Sequence, residues 1–251
     1  MDLLQRNHQL LLKGINCTFL RYLHARIEWE DRLIGIFGSR GVGKTTLLLQ
    51  HIKLKFEDSR EALYVNLDDF WFETHSLTDA VKEFLQAGGH YLFLDEIHFY
   101  SGWMEEVSTL LDANPALKIV FATTSLYSQT EVRNGLRHEA AFYVMHPMSF
   151  REFLSYESIL DKDPIPLEDI LANHHDLVKE INAEMNIVPI YRNYLEHGCY
   201  PFYWQDPDMY YFRLQELVRK EICRDLPSVV SISMSNLERA QKYFMMVAES
   251  A

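Results

Sequence analysis

The sequence predicts an α/β fold in which helices cover both faces of a parallel sheet. Five short apolar runs alternate with segments of helical periodicity before the chain reaches Pro147. Alternation of this kind indicates parallel strands joined by crossover helices. Polar residues follow several of the apolar runs directly, and ligands of such sheets bind at the carboxyl ends of the strands. These polar residues therefore form the candidate site.

The predicted elements of the core follow in a regular order. The predicted strands are residues 32–37, 61–67, 90–96, 117–122 and 141–145. Helices are predicted between them over 46–54, over 76–86 and from near Ser101 to Asn114. Ser76 and Asp79 form a capping box at the start of the second of these helices. Asn114 and Pro115 end the third.

Both ends of the chain are predicted to be helical. Residues 9–28 carry leucines at helical spacing, interrupted by Gly14, and this helix is expected to pack on the sheet edge. After His146 no further strand is predicted, and Ser149 with Glu152 forms a second capping box. The later predicted helices are 167–182, 185–197, 207–224 and 235–250. We expect an α/β core over 1–148 and a helical region over 149–251, with the natural protein continuing past Ala251.

A phosphate-binding loop follows the first predicted strand. Residues Gly38 to Thr45 fit the pattern G-x-x-x-x-G-K-[ST] at every fixed position, which chance gives in roughly one chain of this length in a hundred. Glycines allow a tight turn whose backbone N–H groups face the α- and β-phosphates of a nucleotide, and Lys44 then reaches the β- and γ-phosphates. The predicted nucleotide-binding residues are Gly38, Ser39, Arg40, Gly41, Val42, Gly43, Lys44, Thr45 and Thr46.

Two adjacent carboxylates follow the third predicted strand. Asp95 and Glu96 emerge after the apolar residues 91–94, in the form of a Walker B strand. We expect Asp95 to hold Mg²⁺ together with the hydroxyl of Thr45, and Glu96 to orient or deprotonate the attacking water. The alternative is an ordinary solvated acidic turn. The position of the pair, a strand and a helix after Lys44, favours the nucleotide site.

Hydroxyl and guanidinium groups supply further candidates. Thr123, Thr124 and Ser125 end the fourth predicted strand, where one hydroxyl can contact the γ-phosphate or the water. The sequence does not decide which one, and Thr124 is taken as the candidate. A transition state also needs positive charge. Arg40, Arg133 and Arg137 can each supply it, the alternative for each being a surface or salt-bridge role.

Composition narrows the classes of function. The chain has 251 residues and a formal net charge of −12, so strong attraction to nucleic acid is not expected. Its three cysteines show neither disulfide nor metal spacing. No signal peptide or membrane span is recognisable. These features predict a cytoplasmic protein with reduced thiols and no membrane partner.

Four blocks of sequence resemble one known family. They are residues 38–48, residues 93–97 with Trp103 after them, residues 147–154 (Pro-Met-Ser-Phe-Arg-Glu-Phe-Leu) and residues 194–201 (Tyr-Leu-Glu-His-Gly-Cys-Tyr-Pro). Together they resemble an AAA-type P-loop ATPase family of prokaryotes. Its members are often encoded with a carboxyl-terminal DUF4143 domain, and the family is close to the archaeal ATPases of the STAND branch.

This resemblance implies specific properties. The expected core is a P-loop ATPase domain over 1–148 with an ASCE-type sheet of strand order 5-1-4-3-2. A helical lid over 149–251 follows, with the start of a truncated winged-helix region, and a nuclease-like domain is expected beyond this chain. A nucleic-acid partner is therefore expected only through that missing region. Two departures concern the site: the family's Thr-Gly-Ser is Thr123-Thr124-Ser125 here, and its Gly-Gly is Gly198-Cys199. An arginine contact at Arg137 matches the family's Gly-Arg only loosely.

The predicted function is Mg²⁺-dependent binding and hydrolysis of ATP, with the γ-phosphate state moving the helical lid. ATP is favoured over GTP because the chain has no guanine-reading Asn-Lys-x-Asp or Thr-Lys-x-Asp segment. The alternative is a nucleotide-binding regulatory switch or scaffold with negligible turnover unless a partner is present. Phosphotransfer to a small molecule is less favoured, because paired carboxylates indicate water as the acceptor. Homo-oligomers are also considered, since an interface arginine can come from a neighbouring chain.

Overall fold

The fold is built on one parallel five-stranded sheet. The computed structural model describes residues 2–56, 60–124 and 126–250. The strands are Leu33–Phe37 (β1), Ala62–Asn66 (β2), Tyr91–Asp95 (β3), Lys118–Thr123 (β4) and Ala141–Val144 (β5). Their spatial order is β2-β3-β4-β1-β5, which is the predicted 5-1-4-3-2 order named from the opposite edge. The prediction of a P-loop ATPase sheet is confirmed.

The site depends on the central position of β1. This strand pairs in parallel with β4 on one side and β5 on the other, and all five of its residues are buried. Gly35 allows close packing there, because a Cβ atom at this position would lie 2.6 Å from the ring of Phe121. The carboxyl ends of β1, β3 and β4 therefore meet at one edge of the sheet.

Most of the predicted helices are present near their predicted positions. They are Asp2–Gly14 (α1), Lys44–Lys55 (α2), Leu77–Gln86 (α3), Trp103–Ala113 (α4), Gln129–Gly135 (α5), Phe150–Tyr156 (α6), Leu167–Glu184 (α7), Ile187–His197 (α8), Tyr210–Lys220 (α9), Leu226–Val229 (α10) and Met234–Ser250 (α11). A π-helical turn, Glu221–Asp225, joins α9 to α10. Both capping boxes, at Ser76 and at Ser149, are present.

The prediction for the amino-terminal helix is wrong in its extent. Helix α1 begins at Asp2 and ends at Gly14, and only a single 3₁₀ turn, Tyr22–Ala25, follows within the predicted range 9–28. The side chain of Asn16 accepts a hydrogen bond from the backbone N–H of Thr18. This local turn competes with helix formation after Gly14. Helix α5 was not predicted, because the sequence suggested a plain connection before β5.

The chain divides into two compact units. The first joins Met1–His146 with Tyr211–Ala251, and the second is Pro147–Tyr210. Residues 211–251, which the sequence grouped with the helical lid, are thus part of the first unit. The first unit holds the main hydrophobic core, in which side chains from the sheet, such as Leu94 and Phe121, meet those of the covering helices, such as Val81 and Val107. None of the described helices is long and apolar enough to span a membrane.

Candidate nucleotide site

The loop between β1 and α2 has the backbone that anion binding requires. Gly41 (φ 82°) and Gly43 (φ 103°) lie in the left-handed region, where a side chain is strained. A Cβ atom at Gly38 would lie 2.5 Å from the carbonyl oxygen of Met145. Helix α2 begins at Lys44, so its amino-terminal N–H groups and dipole face the loop. The glycines predicted for the loop are thus needed for its shape.

Lys44 is held inside this loop. It is 7% exposed, and its Nζ donates to the carbonyl oxygens of Gly38 (2.6 Å) and Ser39 (3.0 Å). Burial lowers the pKa of Lys44, while the nearby carboxylates of Glu96 and Asp95 oppose this change. The ammonium group therefore lies among carbonyl acceptors, and a bound phosphate would provide further acceptors for it.

Asp95 lies beside the hydroxyl predicted to share Mg²⁺ with it. The Asp95 side chain is buried, and its Oδ2 accepts hydrogen bonds from Thr45 Oγ1 (2.5 Å) and from the hydroxyl of Tyr64 (2.9 Å). Its Oδ1 accepts one from the backbone N–H of Glu96 (2.9 Å). A carboxylate next to a hydroxyl provides the oxygen ligands that Mg²⁺ prefers. The two predicted metal ligands thus fit this cation.

Tyr64 was missed by the sequence analysis. It lies on β2, next to β3 in the sheet, at the register position opposite Phe93. Burial and the charge of Asp95 raise the pKa of its hydroxyl, which therefore stays a hydrogen-bond donor. No local pattern marks such a tyrosine, because only the pairing of β2 with β3 brings it to Asp95.

Glu96 has an unusual backbone and a charged environment. Its φ of 52° and ψ of 37° lie in the left-handed region, which residues other than glycine rarely adopt. Burial and the neighbouring Asp95 raise the pKa of its carboxyl group, against the opposing charges of Arg40 and Lys44. Strain of this kind is concentrated at functional sites.

Two basic side chains face the Glu96 carboxylate. Arg40 Nη1 lies 3.4 Å from Oε1, and His98 Nε2 lies 3.4 Å from Oε2. The ring of His98 is buried, and its Nε2 makes no hydrogen bond among the described residues. Its Nδ1 lies 3.5 Å from Thr123 Oγ1. The sequence analysis had not selected His98.

The π-helical turn Glu221–Asp225 completes the surroundings of Arg40. The guanidinium donates to both carboxylate oxygens of Asp225, at 2.9 and 2.6 Å, and the Arg40 backbone N–H donates to Glu221 Oε1 at 3.1 Å. Arg224 of the same turn pairs with Asp68 and lies over the ring of Phe99. Arg40 was expected to face nucleotide. In this structure it also joins the phosphate loop to a segment about 180 residues later.

The remaining candidates differ in position. Thr124 is buried after β4, and its hydroxyl oxygen accepts from the backbone N–H of Leu126 at 3.4 Å. Ser125 lies outside the described residues. Arg137 does not join the phosphate loop in this structure: it donates to Thr109 and Asp112 of α4. A carboxylate on that neighbouring helix holds it, which the Gly-x-Arg pattern alone does not reveal.

One family model and several solved structures are similar to this chain. Residues 30–154 match the family model described as "AAA domain" (AAA_14). No curated protein matched the sequence. Similar solved structures include PCH-2 of C. elegans, at 14% identity and a TM-score of 0.34, over 66% of this chain and 49% of that one. DnaA from Aquifex aeolicus, bound to AMPPCP, has 15% identity and a TM-score of 0.37, over 87% of this chain and 67% of that one. The chain thus spans about half the length of the PCH-2 chain. Through residues 30–154, the chain belongs to the AAA domain family.

Proposed function

We propose that this protein binds ATP with Mg²⁺ and hydrolyses it, and that the state of the γ-phosphate moves helices of its carboxyl-terminal region. Membership of the AAA domain family supports nucleotide binding and hydrolysis in general terms. One observation carries the specific proposal: Thr45 Oγ1 lies 2.5 Å from Asp95, and Glu96 follows Asp95 directly. A metal-ligand pair and a candidate base thus stand beside the buried Lys44.

The proposed reaction assigns a role to each group. The water oxygen bonds to the γ-phosphorus while the bond from that phosphorus to the β–γ bridging oxygen breaks, and the proton of the water passes to Glu96. ADP and inorganic phosphate leave. Lys44 and the loop N–H groups stabilise the negative charge on the transferred phosphoryl group. Mg²⁺ held by Thr45 and Asp95 would supply further positive charge at the phosphate oxygens.

Arg40 supports the proposed coupling to the carboxyl-terminal helices. Its backbone belongs to the phosphate loop, while its side chain is bound to Asp225 and lies 3.4 Å from Glu96. A γ-phosphate beside Glu96 adds negative charge close to this guanidinium. The presence of the γ-phosphate therefore changes how strongly Arg40 is attracted to Asp225.

A regulatory switch with negligible turnover is the second candidate. The contact between Arg40 and Glu96 favours it, because a carboxylate engaged by a guanidinium is a weaker base. In that case a partner would have to withdraw Arg40 before hydrolysis begins. The two candidates differ in rate and not in nucleotide affinity.

A single-turnover experiment separates the candidates. The purified chain is mixed in excess with radiolabelled ATP and Mg²⁺, and bound ADP is followed with time. Formation of ADP within minutes supports the enzyme, whereas ATP that stays bound and intact for hours supports the switch. Failure to bind any nucleotide would refute both.

Three variants assign the residues. Lys44→Ala is expected to abolish nucleotide binding, and Glu96→Gln is expected to bind ATP and hydrolyse it far more slowly. Lys55→Ala is the matched control, since Lys55 ends the same helix as an exposed partner of Glu30. Equal turnover by Glu96→Gln would remove Glu96 from the mechanism.

Assembly is tested by mixing. If a neighbouring chain supplies an arginine to the site, adding Lys44→Ala chains to the wild type should lower turnover more than in proportion to their share. Strict proportionality would show that each chain acts alone.

A further inference from the structure

Asp225 is a buried acidic residue far along the chain from the phosphate loop. Its side chain is 1% exposed and makes a two-pronged contact with Arg40, Oδ2 to Nε at 2.9 Å and Oδ1 to Nη2 at 2.6 Å. A bidentate pair of this kind fixes the plane of the guanidinium as well as its position. Burying two charges is costly unless the geometry is well satisfied. Removing one partner would leave the other without its bidentate contact.

The second basic neighbour of Glu96 also faces Asp225. His98 Nε2 lies 3.4 Å from Glu96 Oε2 and 3.9 Å from Asp225 Oδ1. This nitrogen is buried and makes no hydrogen bond among the described residues. Each oxygen of the Glu96 carboxylate is therefore approached by a basic side chain that also lies against Asp225. Glu96 has no direct contact of this kind with Asp225 itself.

The turn that carries Asp225 is anchored independently of the site. Arg224 pairs with Asp68 after β2, and its guanidinium lies 4.6 Å from the ring centroid of Phe99. The hydroxyl of Ser228 donates to the backbone carbonyl of Asp225 at 2.7 Å. Asp225 is therefore held in place by its own segment and can in turn hold Arg40 and His98.

We propose that Asp225 is a positioning residue for hydrolysis, which acts through Arg40 and His98 to orient the carboxylate of Glu96. This inference rests on the proposed ATPase function. The carboxylate must align a water molecule with the γ-phosphorus, and the rate of hydrolysis falls steeply when such a group is misplaced by about 1 Å. Asp225 therefore affects the hydrolytic step, whereas nucleotide binding depends on the loop glycines and Lys44.

The test is a double-mutant cycle with Asp225→Asn and Glu96→Gln, measured as kcat and KM for Mg²⁺-ATP. Asp225→Asn is expected to lower kcat by about 10- to 100-fold with KM changed less than about threefold. In the Glu96→Gln background the same substitution should cause no further loss of kcat. Asp225→Glu, which keeps the charge, should recover part of the rate. Glu216→Gln is the matched control, since it lies on α9 and pairs only with the exposed Arg219 among the described residues.

Three outcomes would overturn the proposal. The first is a kcat for Asp225→Asn within twofold of the wild type. The second is an effect of Asp225→Asn on KM alone. The third is a fractional loss of kcat from Asp225→Asn that is equal in the wild-type and Glu96→Gln backgrounds. If Asp225→Asn does not fold, as judged by circular dichroism and nucleotide binding, His98→Gln is measured in its place and must show the same selective loss of kcat. Absence of turnover in the wild type would instead refute the proposed ATPase function, and the inference with it. Wild-type turnover with an unaffected Asp225→Asn variant refutes the positioning role alone.

Discussion

Replacing Glu96 by glycine should make the protein more stable than replacing it by alanine, although both changes end hydrolysis. Glu96 has φ 52° and ψ 37°, in the left-handed region. Alanine keeps the strain of a Cβ atom in this conformation, while glycine relieves it. Both variants remove the carboxylate and its contacts with Arg40 and His98. The difference between them therefore isolates the backbone.

The magnitude follows from two opposing contributions. A side chain in the left-handed conformation costs roughly 1–2 kcal/mol. Glycine loses about 0.4–1 kcal/mol of that advantage because its unfolded chain has more conformational freedom. A net difference of about 1 kcal/mol in the free energy of unfolding remains. For a chain of this length it corresponds to roughly 2–4 °C in melting temperature.

Calorimetry on both variants measures this difference, with ATP turnover recorded on the same samples. Ser158 provides the matched control, because it is the other described non-glycine residue with positive φ, at 54°, and its side chain is exposed. Ser158→Gly should exceed Ser158→Ala in stability by a similar amount without loss of turnover. If Glu96→Ala melts at or above the temperature of Glu96→Gly, the backbone of Glu96 is not strained and the reasoning fails.

Three further predictions concern the groups around Asp95 and Glu96. Burial and the charge of Asp95 raise the pKa of Glu96 above its ordinary value of 4.5, against the opposing charges of Arg40, Lys44 and His98. The value of kcat should therefore fall as the pH drops through that raised pKa. A pH–rate profile of the wild type should show this acid limb, and its persistence in Glu96→Gln would contradict the assignment. Tyr64→Phe removes one hydrogen bond to Asp95 and should raise the Mg²⁺ concentration for half-maximal turnover by about 2- to 10-fold. An unchanged Mg²⁺ titration would show that the Tyr64 hydroxyl does not support Mg²⁺ binding by Asp95. Although burial opposes it, the nearby His98 and the hydrogen bonds from Arg40 lower the pKa of Asp225 from 3.8 to about 2. Its stabilising effect is therefore complete above pH 3.8 and is lost as the pH falls towards 2. Urea unfolding of the wild type and Asp225→Asn should therefore differ most above pH 3.8 and converge near pH 2, and a gap that does not depend on pH would show that the charge is not involved.

Local patterns in the sequence predicted those parts of the fold that depend on near neighbours. Apolar runs marked all five strands, and the capping boxes at Ser76 and Ser149 marked the starts of two helices. The phosphate loop was predictable because its glycines and Lys44 act within eight consecutive residues. Asp95 and Glu96 were selected as a pair because they emerge directly after the apolar residues 91–94. In each case the physical cause lies within one or two turns of the chain.

The parts that could not be predicted depend on contacts between distant residues. Tyr64 meets Asp95 only through strand pairing, and Asp225 meets Arg40 across 185 positions of sequence. Neither residue belongs to a local pattern, and an aspartate in a charged helix normally indicates a solvated surface. The same reason explains the position of Arg137. Its spacing matched the family's Gly-Arg only loosely, and the partner that holds it is Asp112 on a neighbouring helix.

The charge distribution around Arg40 explains why the proposed γ-phosphate state can be transmitted to the carboxyl-terminal helices. Its backbone N–H, one of the loop donors expected to face phosphate, donates to the carboxylate of Glu221, and its side chain is held by Asp225. A phosphate that takes up the loop donors must compete with Glu221 for the same N–H group. By linkage, any partner that draws Glu221 away from the loop must favour nucleotide binding by the same free energy that the nucleotide contributes to releasing Glu221. Substitution of Glu221 by glutamine weakens only the acceptor that competes with phosphate and leaves the Arg40–Asp225 pair in place. The affinity for nucleotide should therefore rise. A lower affinity would show that Glu221 supports the loop rather than competing with phosphate for its N–H group.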